Sequence, residues 1–102
     1  MADTLKQWDG TLTTSETTVY TVPSSKCLIL QGFWASNANS VDKYFTLKLN
    51  DKRLAYQTTV PTHDAIINSG LEIPVSATQT IKILGEVTDD MDYSIWGIEV
   101  DA

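Results

Sequence analysis

The sequence predicts an all-β protein: a single antiparallel β-sandwich, jelly-roll or immunoglobulin-like, preceded by a short N-terminal arm. Short stretches that alternate apolar and polar residues recur along the chain, as in Tyr44–Leu49 and Tyr93–Val100, and a period of two is the signature of a strand with one covered face. Threonines crowd the first part of the chain, at Thr11, Thr13, Thr14, Thr17, Thr18 and Thr21. β-Branched side chains pack well on a pleated surface and lose freedom in helices. Turn residues separate the stretches, and no segment has the length and periodicity of a long helix. With 102 residues the chain makes one domain, divided here into an arm at 1–9 and a sandwich at 10–102.

The arm carries two apolar anchors, Leu5 and Trp8, on a polar stretch. Their surface needs burial, on the chain's own domain or on a neighbouring subunit. Asp9-Gly10 reads as a turn, followed by strands around Thr11–Thr14 and Thr17–Val22. Pro23 ends the second, because proline cannot donate to a ladder. Cys27–Ala35 is apolar on both parities, with Leu28, Leu30 and Trp34 on one and Cys27, Ile29, Phe33 and Ala35 on the other. That pattern suits a central strand covered on both faces, or one covered by its own core and by a partner. After the polar loop Ser36–Ser40, Tyr44–Leu49 directs Phe45, Leu47 and Leu49 inward. Asn50-Asp51 makes a hairpin turn and Arg53–Gln57 returns. Ala65–Asn68 and Leu71–Val75 are weaker strands split by Ser69-Gly70. Ile81–Val87, a turn at Asp89–Asp92, and a last strand with Trp96, Ile98 and Val100 on one parity complete the set. By parity, Phe45 and Trp96 are the aromatic residues assigned to the core.

Thirteen acidic against seven basic residues give a net charge of −6. Binding of phosphate backbones rests on Lys and Arg displacing counterions, so neither nucleic acid nor an anionic membrane is an expected partner. Cys27 is the only cysteine, which rules out an internal disulfide. No apolar run reaches bilayer-spanning length, and the start, Met-Ala-Asp-Thr-Leu-Lys, lacks the apolar core of a signal peptide.

Residues able to start chemistry are few. Cys27 opens the most apolar strand, where a free cysteine behaves as a small hydrophobe, and His63-Asp64 lies in a loop after Pro61. Glu86, Asp89, Asp90 and Asp92 form an acidic cluster without the spacing of a calcium loop, and read as a solvated hairpin tip. The expectation is therefore a protein that is not an enzyme, with no catalytic residues and no cofactor or metal. Tryptophan and tyrosine are enriched at interface hot spots, and the candidate interface residues are Leu5, Trp8, Trp34, Tyr56 and His63.

The order of elements resembles small β-sandwich virion proteins of tailed bacteriophages. The residues that carry the resemblance begin with Thr18-Val-Tyr-Thr-Val-Pro-Ser-Ser-Lys26 and an apolar strand ending at Asn37-Ala-Asn39. They continue through Phe45-Thr-Leu-Lys-Leu-Asn50 with its hairpin, Leu71-Glu-Ile-Pro-Val75 and Gln79-Thr-Ile-Lys-Ile83, and close with Tyr93-Ser-Ile-Trp-Gly-Ile-Glu-Val100. The resemblance implies a capsid decoration or auxiliary head protein on the outside of a virion, made in the host cytoplasm. It also implies major capsid protein or other virion proteins as partners, and a homo-oligomer, with a trimer favoured. The alternative is a tail or neck component that binds glycans or a host receptor, using Trp34 or Tyr56 as a platform beside Asn37 and Asn39.

Overall fold

The structure, a computed structural model, describes residues 3–102. It has nine strands: β1 (Thr4–Thr11), β2 (Thr17–Thr21), β3 (Lys26–Asn37), β4 (Lys43–Leu49), β5 (Lys52–Val60), β6 (Asp64–Asn68), β7 (Ile73–Val75), β8 (Thr80–Gly85) and β9 (Met91–Asp101). Sheet A has the order β1-β9-β3-β6, with β7 also on β3; sheet B has the order β2-β8-β4-β5. Every ladder is antiparallel. β6 and β7 pair with successive parts of β3, so they act as one strand broken at Ser69-Gly70. The resulting order, with the chain crossing between the two sheets at every connection except β4–β5 and β6–β7, is a jelly roll.

The core lies between the sheets. Leu28, Leu30, Phe45, Leu47, Ile81 and Ile95 are fully buried, and Phe33 meets Phe45 edge-on with ring centroids 6.1 Å apart. The sequence supports the β4–β5 hairpin locally. Asn50 and Asp51 adopt φ of 50° and 63°, the left-handed pair that a two-residue turn between twisted strands requires and that Asn and Asp tolerate. In β3 the register shifts between Leu30 and Gly32. This bulge reverses the parity of the strand, so Leu28 and Leu30 face inward before it, and Phe33, Ala35 and Asn37 after it.

Three expectations are corrected. The segment read as an arm is, from Thr4 onward, strand β1, paired along its whole length with β9; Met1 and Ala2 lie outside the described residues. Asp9-Gly10 is not a turn but part of that ladder, and Thr11–Thr14 is not a separate strand. Lys6 and Trp8 alternate inward with Leu5 and Gln7 outward, a pattern obscured in sequence because the inward set includes a lysine. Finally, Trp96 lies outside the core, on the outward parity of β9, whose inward set is Met91, Tyr93 and Ile95.

Between β1 and β2 the sandwich is closed by polar contacts around an aromatic pair. Trp8 and Tyr20 stack with centroids 4.6 Å apart. The Tyr20 hydroxyl donates to the Glu99 carboxylate. Lys6 Nζ lies 3.8 Å from the same carboxylate and 5.9 Å from the Tyr20 ring centre.

Candidate interaction surface

The outer faces of the two sheets differ in chemistry. Sheet B turns charge outward: Lys48 pairs with Glu16 at 2.7 Å, and Lys82 with Asp51 at 3.0 Å. The hydrogen bond to Asp51, then its charge, raises the Lys82 ammonium above its ordinary pKa. This is a solvated face.

Sheet A turns apolar residues outward in register. Leu5, Ile98, Ile29 and Pro74 lie opposite one another on β1, β9, β3 and β7 and make one cross-strand row. Val100 and Cys27 are paired on one side of it. On the other side Trp96 lies opposite Gly32, and a Cβ on Gly32 would stand 2.3 Å from the Trp96 ring. The missing side chain is what allows the indole to lie flat there. The next row holds Ser94, Trp34 and Ile67, and Gln7 Nε2 donates to Ser94 Oγ at 3.2 Å. The stripe ends at a polar row where Thr11 Oγ1 donates to Asp92 at 2.9 Å.

Leu5 is 79% and Ile67 67% exposed. Ile29, Trp34, Trp96 and Ile98 are half-buried and take no part in the core. A shallow groove of about 350 Å³ runs between Leu5 and Trp96 over Gln31. Contiguous apolar surface of this kind makes the face a candidate contact site, and covering a single large apolar side chain is worth roughly 1.5–3 kcal/mol.

Of the five residues expected to make contacts, the structure brings Leu5 and Trp34 onto this face. Trp8 is turned inward against Tyr20 and the core. Tyr56 is on β5 of the other sheet, with the Arg53 guanidinium 4.4 Å from its ring centre. His63 is exposed in the β5–β6 turn with a φ of 55°. Sequence reasoning did not single out Ile29, Trp96, Ile98 and Ile67. Its one signal was the double-parity apolarity of β3, which implied a covered outer face. The polar neighbours that a glycan platform would need are committed elsewhere. Asn37 is 2% exposed; its amide donates to the carbonyls of Val41 and Val60, and its oxygen accepts from Asn39.

A second concavity follows the seam between β5 and β7, about 370 Å³ lined by Leu49, Arg53, Leu54 and Ile73. Among the described residues, no three histidine, cysteine or carboxylate side chains converge on one point, and no helix is long and apolar enough to cross a membrane.

No protein-family model and no curated protein matches the chain. Solved structures are similar in three dimensions, among them these two. One is a chain of the Bacillus endospore appendages, described as a novel family of disulfide-linked pili, at 11% identity and a TM-score of 0.57, covering 98% of this chain and 87% of that one. The other belongs to the acid-stable capsid of Helicobacter pylori bacteriophage KHP30, at 7% identity and a TM-score of 0.53, covering 100% of this chain and 95% of that one. At such identities the likeness is one of fold, and it takes in essentially the whole sandwich.

Proposed function

We propose that this chain is a non-enzymatic structural protein of a phage particle, a decoration or auxiliary head protein that docks on the assembled lattice through the outer face of sheet A. The observation that carries the reading is the in-register stripe of Leu5, Ile29, Ile98, Trp96 and Trp34 on a face with no core of its own to cover. The polar, ion-paired outer face of sheet B would remain toward solvent. Support comes also from the fold, which is similar to a chain of a phage capsid and to a chain of a pilus, both repeating assemblies. Many weak, identical contacts on one lattice add through avidity, so a stripe of modest area suffices.

The test is binding to purified particles that lack the protein. The wild-type chain should bind saturably. Ile98→Asp, which puts a charge in the middle of the stripe without touching the core, should lower affinity by roughly tenfold or more, the scale for one desolvated contact, with little change in Tm. Absence of saturable binding to heads or tails, or full binding by Ile98→Asp, would remove the proposal.

A further inference from the structure

Two antiparallel sheets present four edges, and three of them carry features that obstruct the addition of another strand. β2 has five residues and a register shift between Thr18 and Tyr20. β5 is interrupted by register shifts on both sides of Leu47. The β6–β7 edge is broken into five and three residues and contains Pro74. β1 is neither short, bulged nor interrupted by proline: it has eight residues and an uninterrupted register with β9, and its one inward lysine, Lys6, is held by Glu99 of its own fold.

The direction of its free hydrogen-bonding groups follows from one contact. Leu12 N donates to Met91 O at 2.7 Å, so the amides of Leu12, Gly10, Trp8, Lys6 and Thr4 point to β9. By alternation, those of Leu5, Gln7, Asp9 and Thr11 point away, to an edge with no partner strand among the described residues.

Charge is distributed unevenly along the 47 Å long axis, which the strands follow. Asp42, Asp64, Glu86, Asp89, Asp90 and Asp92 gather at the end where β9 begins, against Lys43 alone. The opposite end carries six of the seven basic residues, Lys6, Lys26, Lys48, Lys52, Arg53 and Lys82, and the carboxylates there only balance them.

We infer that β1 pairs antiparallel with β1 of a second copy of this chain, joining two copies of sheet A into one continuous sheet about a two-fold axis. Antiparallel pairing lays the acidic end of each copy beside the lysine-bearing end of the other, whereas parallel pairing would align the two acidic ends. Register centred on Gln7 sets Lys6 opposite the partner copy's Trp8 and Leu5 opposite its Asp9, so no like charges face each other. The two apolar stripes then lie side by side on one surface. The inference does not depend on which larger assembly that surface joins.

The test is mass in solution together with exchange at the edge. Sedimentation over micromolar to sub-millimolar concentrations should show a species of twice the 11.3 kDa chain mass. Gln7→Pro removes one edge-pointing amide from each copy and leaves the β9 ladder intact, so its dimer dissociation constant should rise roughly tenfold or more. Amides of Leu5, Gln7, Asp9 and Thr11 in the wild-type chain should gain hydrogen-exchange protection as concentration rises, a readout that needs no variant to fold. A monomer at every concentration, a trimer, a dimer unaffected in folded Gln7→Pro, or edge amides whose exchange ignores concentration would each overturn the inference.

Discussion

Tyr20, like Asn37, joins the two sheets by a hydrogen bond rather than by packing alone. Burial, then the hydrogen bond to Glu99, then that carboxylate's charge push its phenol up to about 12, against about 10 in an unfolded chain. Folding therefore favours the protonated phenol. The stabilisation is complete below pH 10 and is lost as pH rises from 10 toward 12. The measured unfolding free energy should decline over that window in the wild type and decline less in Tyr20→Phe. Gly97 is a second single-residue constraint. It lies opposite the β3 bulge, where a Cβ would stand 2.4 Å from the Ile29 carbonyl oxygen, and a backbone atom cannot move aside as a flexible side chain can. Gly97→Ala should cost on the order of 1–3 kcal/mol, the usual range for overpacking, read as a lower urea midpoint with an unchanged slope.

At the scale of elements, β3 and β1 explain what the sequence disclosed and what it concealed. The double-parity apolarity of Cys27–Ala35 announced a strand covered on both sides. It could not show that a bulge at Leu30–Gly32 divides the two apolar sets, so Trp34 was grouped with Leu28 and Leu30 although it faces the other way. β4 and its Asn50-Asp51 turn were legible because the alternation is regular and the turn chemistry is local. β1 was not, because its inward residues Lys6 and Trp8 are held by Tyr20 and Glu99, partners remote in sequence. The same contacts make β1 part of the sandwich's stability. Deletion of residues 1–8 uncovers Tyr20 and one edge of β9, and should lower Tm by more than the roughly 4–8 °C that 1 kcal/mol represents in a domain of this size. Calorimetry of the truncated chain checks this.

For the molecule as a whole, strand spacing was enough to establish a sandwich but not its winding, because the neighbours of β9 are β1 and β3 and nothing near β9 in sequence records that. The apolar contact face was only half legible for a related reason. Leu5, Ile29, Pro74 and Ile98 become one row only after strands from the beginning, middle and end of the chain have been brought together. This winding has a consequence in time. The central strand of sheet A, β9, follows every other strand in the chain, so on the ribosome β1 and β3 wait without the ladder that lies between them. A nascent chain that stops before Met91 should remain open to protease, and protection should appear only once β9 has emerged. Refolding of the complete chain should be slow for its size, in the millisecond-to-second range of folds built from non-local pairings. During that interval both faces of β3 are uncovered, and chaperone binding or aggregation competes with closure of the sheet.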